Sequence, residues 1–373
     1  MALGARDTGS LVMLTGWDAA ALTNFQLEDG TTYAQVVSEM NAALVALNGE
    51  IYGDPLWSEL VSYTDQPDVE YRVGASNGME IFTEYGQPDP QRAATEGHML
   101  PLRAYVRRLG WTWNYLRKAR MEQVQADIAD GIKDVRDNWR QRLLTRVLKR
   151  GDDSGAGLGL GSSGYSTGFA TDAGSTAVDF NPPAHGGTAF ATTHEHYVGI
   201  GGGVFTKAVF TDAKDELREH GHEGPYNFLI GTADEAAVKA LTGFVPTANN
   251  LITYGALQDL AQLNPVADMN GSYYIGMLED FKIRVVRGVP QYYGFGWKSY
   301  GPNSQRNPLR VRLGKGLNRP SVVSMLNPNQ GINANSPIST LLLFTEFGVG
   351  VQDRTNGTAR YVNNATWADG TAT

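Results

Sequence analysis

The residues of this sequence best suited to chemistry are histidines in two short clusters, His194-Glu195-His196 and His220-Gly221-His222-Glu223. Imidazoles and carboxylates together can ligate zinc or iron. The second cluster lies where a helix is predicted to end, and a cationic histidine is common there because of the helix dipole alone. We therefore interpret these residues as exposed loop and cap histidines and expect no metal. A histidine-ligated, metal-dependent hydrolase is the alternative.

A second chemical pattern lies in a glycine-rich stretch. Gly164-Tyr165-Ser166-Thr167-Gly168 matches the nucleophile elbow, which needs a strand before the serine and a helix after it. Glycine and serine flank it on both sides here, so we interpret the match as chance. The chain has no cysteine, which excludes thiolate catalysis and zinc ribbons. We predict no catalytic residue and no cofactor, and hence a protein that is not an enzyme.

Charge is distributed unevenly along the 373 residues, whose net charge is −8. Residues 1–100 carry three basic and fifteen acidic side chains, whereas residues 101–150 carry thirteen basic and five acidic ones. Opposed potentials steer association and fix register, so the acidic segment of one copy can lie on the basic segment of another. The candidate contacts between subunits are Glu70, Glu80, Glu84, Arg117, Arg120, Arg136 and Arg140. Two solvated faces, or nucleic-acid binding by the basic segment, are the alternatives.

The elements that must position these residues begin with a short amphipathic helix over 31–48. Alternating Val69, Tyr71 and Val73, followed by Asn77-Gly78 and residues 79–85, predict a hairpin. Apolar residues at steps of three and four predict one helix from about 111 to 150, with a bend at Gly131. Some 38 helical residues at 1.5 Å each would span roughly 57 Å. The glycine-rich residues 151–175 predict a linker or a long irregular loop.

The second half of the chain predicts an α+β fold. Residues 205–220 predict a helix, 226–230 a buried strand, and 233–241 a helix capped by Thr232. The remaining predicted strands are 273–278, 282–286, 290–293, 309–313, 341–352 and 359–362. We expect the aromatic residues of 292–297 to be buried between subunits. The first twenty residues lack a signal pattern and no run of eighteen apolar residues occurs, so we expect cytoplasmic synthesis and no membrane span.

The order of these elements resembles the major capsid protein of tailed bacteriophages, the Hong Kong phage capsid fold. The likeness covers about residues 30–362, as an ordered pattern of architecture rather than a catalytic signature. The stretches that carry it are MLPLRAY at 99–105, FLIGTADEAAVKAL at 228–241 and YYIGMLEDFKIRVVRGVP at 273–290.

The resemblance implies an N-terminal arm (1–55), an extended loop (56–100), a peripheral domain (101–231) with a spine helix, a β-rich axial domain (232–335) and C-terminal strands (336–373). It implies hexamers and pentamers that self-assemble into an icosahedral shell around double-stranded DNA, bound without sequence specificity, in the virion. Portal, scaffolding and decoration or cement proteins would be its partners. An encapsulin-type bacterial nanocompartment shell is the alternative. We expect residues 1–100 to contact neighbouring copies more than their own core.

Overall fold

A computed structural model describes residues 27–73, 94–112, 115, 118–150, 168–169, 190, 194–246, 272–317, 319–327 and 338–372. Within these described residues, the helices are α1 (Tyr33–Gly53), α2 (Pro55–Leu60), α3 (Met121–Leu148), α4 (Lys207–Glu219) and α5 (Glu235–Lys239), with a 3-10 helix at Thr232–Asp234. The strands are β1 (Val61–Thr64), β2 (Asp68–Val73), β3 (Ala94–Met99), β4 (Arg103–Thr112), β5 (Tyr197–Gly199), β6 (Tyr226–Ile230), β7 (Val245–Pro246), β8 (Tyr273–Leu278), β9 (Phe281–Val285), β10 (Tyr293–Trp297), β11 (Leu309–Leu313), β12 (Val322–Asn327), β13 (Ile338–Val351) and β14 (Thr358–Tyr361). None of the described helices combines the length and the apolar run that a bilayer span requires.

The chain divides into two compact units, of which the first comprises residues 1–54, 102–139 and 316–347. Its sheet is centred on the first ten residues of β13, which pair antiparallel with β4 along one side and with β12 along the other. The prediction that one helix begins at residue 111 is therefore wrong. Residues 103–112 form a strand because their backbone groups bond to a partner more than 200 residues later in the chain.

The spine helix is α3, which begins at Met121 and is about 42 Å long at 1.5 Å per residue. Trp139 stacks on the ring of Phe347, with centroids 3.7 Å apart. Gly131 lies against the sheet, where a Cβ atom would be 3.0 Å from a methyl group of Leu343 and 3.2 Å from one of Leu109. Close packing therefore gives a physical reason for a glycine at position 131, and the predicted bend there stays a prediction.

The helix of the predicted arm, α1, packs on its own chain. Thr32 and Gln35 form a capping box at its start. One face is buried, with Leu44 and Leu47 at 0% and 1% exposure. The Asn48 side chain donates to the Val322 carbonyl and accepts from the Val322 amide, at 3.2 and 2.7 Å. The expectation that residues 1–100 have few contacts with their own core is thus wrong for this helix.

The second unit comprises residues 55–101, 140–315 and 348–373. Its main sheet has seven strands in the order β5-β14-β10-β6-β9-β8-β7. Strand β14 pairs parallel with the edge strand β5 and antiparallel with β10. Helix α4 lies on this sheet because its stripe of Val209, Phe210, Ala213 and Leu217 is buried among the aromatic rings of β6 and β9.

The aromatic residues of 292–297 are largely buried inside this unit, which corrects the expectation that they lie between subunits. Phe295 and Trp297 are fully buried on β10, and Tyr293 is 8% exposed. Gly294 of the same strand is required by packing, since a Cβ atom there would be 2.5 Å from the ring of Phe228. Strand β10 is therefore part of the folded core of one chain.

Several other predictions are confirmed or corrected. Helix α4 and strands β6, β8 and β11 lie within two residues of their predicted bounds. Strand β10 begins where the predicted strand 290–293 ends, and Thr232 begins a 3-10 turn rather than capping a helix. The predicted strand over residues 69–73 is present as β2, and it pairs antiparallel with β3, a strand that was not predicted. The predicted turn at Asn77-Gly78, residues 79–85 and most of 151–175 lie outside the described residues, and the arm, loop and domain boundaries stay a prediction.

Candidate functional site

The candidate contact residues on and next to the spine helix differ in their exposure and in their partners. Arg136 pairs with Glu50 of α1 in the same chain, and Gln125 bonds to Glu39. In each of these two pairs, the residue of α3 lies 86 positions after its partner on α1. The two helices therefore run side by side in the same direction, and Arg136 is already engaged within its own subunit.

Arg140, the next arginine on this side of the helix, is only 8% exposed. Its part in a contact between subunits stays a prediction, as does that of Arg136. Arg120 is exposed just before α3, and Glu70 lies on β2. Glu80, Glu84 and Arg117 lie outside the described residues. The contact surface between subunits thus stays a prediction for all seven candidate residues.

The histidines that the sequence placed in two clusters come together in the second unit. His194 and His196 lie just before the edge strand β5, and His220 is the C-cap residue of α4. The Nε2 atoms of the three rings lie 3.0 Å (His194–His196), 2.9 Å (His194–His220) and 2.9 Å (His196–His220) apart. We call these three residues the histidine triad.

Burial and hydrogen bonds fix the triad in place. The side chain of His196 is fully buried, and its Nδ1 lies 2.7 Å from the Gly357 carbonyl oxygen. The backbone carbonyl of His196 accepts from the Ala359 amide at 2.8 Å. The Phe190 ring covers the triad, with its centroid 4.9 Å from His194 and 4.4 Å from His220. The expectation of exposed loop histidines is therefore wrong for His196.

Two carboxylates of α4 border the triad. An oxygen of Glu219 lies 3.7 Å from His194 Nε2, and an oxygen of Glu216 lies 4.0 Å from His196 Nε2. The other Glu216 oxygen accepts from the Thr358 hydroxyl at 2.6 Å and pairs with the Arg360 guanidinium. Glu216 is thus held by buried partners, whereas the Glu219 side chain is 42% exposed.

Burial lowers the pKa of two of the triad imidazoles, those of His196 and His194. It lowers the pKa of His196 well below its usual value, and the neighbouring His194 lowers that pKa further. Burial also lowers the pKa of His194, although the Glu216 carboxylate acts in the opposite direction. Burial, followed by the nearby Glu216 and Asp215 charges, raises the pKa of Glu219. Neutral imidazole is the form that binds metal ions.

The fourth histidine of the two clusters, His222, belongs to a different network. It is 2% exposed, with Nδ1 2.8 Å from the Tyr300 hydroxyl and Nε2 3.0 Å from the Thr355 hydroxyl. It is thus neither exposed nor part of the triad. Glu195 pairs with Arg150 at 2.9 Å. Sequence spacing alone could not separate His220 from His222. Both follow the last residue of α4, and only the fold determines where each side chain is placed.

The serine pattern at 164–168 contributes no described side-chain geometry, since residues 164–167 lie outside the described residues. The carbonyl of its last residue, Gly168, accepts from the Arg354 guanidinium at 2.9 Å. That contact is part of a buried structural network.

No protein-family model matches the sequence, and no curated protein matches it. Solved structures do resemble it. One from Mycobacterium phage Patience has a TM-score of 0.59 at 17% identity and covers 91% of each chain. The mature capsid of bacteriophage PhiM1 gives 0.47 at 10% identity, covering 83% of this chain and 87% of that one. The SrpI encapsulin complex of Synechococcus elongatus gives 0.46 at 11% identity, covering 85% and 89%.

Proposed function

Because the chain has the fold of tailed-phage major capsid proteins, we propose that it is the subunit of a virion shell. In this proposal, copies assemble as hexamers and pentamers into an icosahedral capsid that encloses the double-stranded DNA of a tailed bacteriophage. The observation that carries the proposal is the likeness to the Mycobacterium phage structure, which extends over 91% of both chains. The match includes both compact units rather than a single motif.

The charge distribution supports assembly from identical copies. The acidic first hundred residues and the basic 101–150 segment carry balances of −12 and +8. Complementary potentials on one chain favour ordered contact with another copy of that chain. Each exposed ion pair is worth only about 0–1 kcal/mol, so the effect depends on the many copies of a shell.

The role we propose is structural and not catalytic. Enclosed DNA would contact the inner surface without sequence-specific readout, since the protein as a whole is acidic. A portal, a scaffolding protein and a decoration or cement protein are the partners that such a shell would have. Synthesis would take place in the host cytoplasm before incorporation into the virion.

Sedimentation of the purified protein tests this proposal. A single chain has a mass of 40.5 kDa, whereas a closed shell of many copies sediments far faster as one sharp boundary. Material that sediments only as monomers or small oligomers argues against a shell subunit. The contents of particles made in the native host separate the alternatives: nuclease-resistant DNA indicates a virion, and a packaged protein indicates an encapsulin-type compartment.

A further inference from the structure

Hydrogen bonding alone cannot account for the contacts within the histidine triad. Each imidazole nitrogen carries either one proton or one lone pair, directed in the plane of the ring. Each Nε2 here has two Nε2 neighbours within 3.0 Å. One proton or lone pair cannot serve two partners well, so a triangle of such atoms leaves at least one contact without a hydrogen bond. A cation bound to all three lone pairs accounts for the whole arrangement.

The size of the triangle fits such an ion. Imidazole nitrogens bind zinc at about 2.0–2.1 Å, which places two ligands about 3.3 Å apart in tetrahedral coordination and about 2.9 Å apart at right angles. The observed separations are 2.9–3.0 Å. We propose that His194, His196 and His220 bind one divalent transition-metal ion of the zinc type through their Nε2 atoms, as a structural site.

The hydrogen bond of His196 supports this assignment independently. A carbonyl oxygen can only accept, so Nδ1 of His196 must donate its proton to the Gly357 carbonyl at 2.7 Å. In the neutral ring, Nε2 then carries the lone pair that faces His194 and His220. Histidines that bind metals usually donate their other nitrogen to a carbonyl or carboxylate in this way, which fixes the tautomer and the ring orientation.

The surroundings of the triad favour a cation. Two glutamate carboxylates, those of Glu216 and Glu219, have oxygens within 4.0 Å of triad nitrogens. Glu219 is the partly exposed one and is placed to supply a fourth ligand, either directly or through water. A set of three imidazoles suits zinc, copper, iron or nickel rather than magnesium or calcium, which prefer oxygen ligands. The site should therefore discriminate between these two groups of ions.

The ion would join two elements that are distant in sequence. Strand β5 has only three residues and lies at the edge of the seven-stranded sheet. The triad links the segment just before this strand to the C-terminal end of α4. An ion that binds the folded chain and not the unfolded one raises its stability. We infer that the metal fixes this sheet edge to the helix, in contrast to the sequence-based expectation of no metal.

Metal titration of the purified full-length chain, after removal of metals with a chelator, tests the site. Zn²⁺ binding is followed by calorimetry, and Co²⁺ is used as a spectroscopic probe of nitrogen ligation. We expect one equivalent to bind, a higher melting temperature with Zn²⁺, and no competition from Mg²⁺. Losing an outer-shell hydrogen-bond partner typically lowers metal affinity by about 10–100-fold. His194→Ala and His220→Ala remove ligands themselves and should lower the Zn²⁺ affinity by more than this. His222→Gln is the matched control and should bind like the wild type.

Two results would overturn the proposal: no stoichiometric Zn²⁺ binding by the wild type, or equal binding by the triad variants and the wild type. Circular dichroism checks that each variant is folded. If a triad variant does not fold, the wild-type Co²⁺ spectrum still decides, because imidazole ligation shifts the Co²⁺ bands and excess Zn²⁺ removes them. Stoichiometric metal accompanied by hydrolytic turnover would overturn the structural role in favour of a hydrolase.

Discussion

The Asp29 carboxylate accepts a hydrogen bond at 2.8 Å from the backbone amide of Met121, the first residue of the spine helix. The adjacent Glu28 amide donates to the Ala119 carbonyl at 3.1 Å. A carboxylate at a helix N-terminus satisfies a free amide and interacts favourably with the helix dipole. The hydrogen bond from the Met121 amide, followed by one from the Thr31 amide at 2.9 Å, lowers the pKa of the Asp29 carboxyl below its usual value. The chain before α1 is thereby attached to the start of the spine.

Replacing Asp29 by Ala should lower the free energy of unfolding by about 1 kcal/mol, the usual effect of losing a helix cap. The measurement is thermal or urea unfolding of the purified protein. Asp29→Asn is the matched control, because an amide oxygen can still accept from Met121. Equal destabilisation by both variants would show that charge, and not the cap hydrogen bond, is what matters.

Two glycines in helices make a second matched test. A Cβ atom at Gly49 of α1 would contact nothing within 4 Å, whereas one at Gly131 would press on Leu343 and Leu109. Gly49→Ala should therefore stabilise the protein by up to about 1 kcal/mol through helix propensity. Gly131→Ala should gain less, and Gly131→Ile should lose about 1–3 kcal/mol by overpacking, as judged by urea unfolding. Similar responses at the two positions would contradict close packing at Gly131.

Buried His98 predicts a loss of stability at acidic pH. Burial, followed by the positive charges of Arg354 and Arg146, lowers its pKa from 6.5 to about 3. Between these values the unfolded chain binds a proton that the folded chain does not, so the free energy of unfolding falls as pH falls from about 6.5 to about 3. At about 1.36 kcal/mol per unit, the contribution of this residue is on the order of 5 kcal/mol at most.

Unfolding measured across this pH range in the presence of a chelator checks the assignment. His98→Gln, which is neutral at every pH and can still donate to a carbonyl, should flatten part of the acid slope. A slope unchanged by the substitution would mean that His98 is accessible to protons in the folded state.

The intersubunit surface yields a prediction about salt and charge. If Arg120 pairs with an acidic residue such as Glu70 of a neighbour, assembly should weaken as salt rises from about 0.05 to about 0.5 M. Added salt shortens the Debye length and so screens the attraction between the two charges. Arg120→Glu should lower the particle yield, and adding Glu70→Arg should restore it. Arg218→Glu, an exposed change on α4, serves as the control. Salt-independent assembly, or no rescue by the double variant, would exclude this pair.

Sequence analysis predicted well those helices and strands whose apolar pattern lies within the element itself. Helix α4 has a complete apolar stripe, and four of the five residues of β6 are apolar or aromatic, so both were placed closely. Trp111 was assigned to the long helix from the spacing of apolar residues, yet it lies on strand β4, because β13 supplies the pairing partner. The histidine triad likewise depends on the fold, which brings His220 to His194 and His196 and leaves His222 elsewhere. Contacts across such distances have no signal in a single sequence.

Negative-stain electron microscopy of the purified full-length protein tests the central claim most directly. The account predicts closed, icosahedral particles of uniform diameter, with walls built from this chain alone. A field of monomers and small irregular oligomers, under conditions in which circular dichroism shows a folded chain, would contradict it.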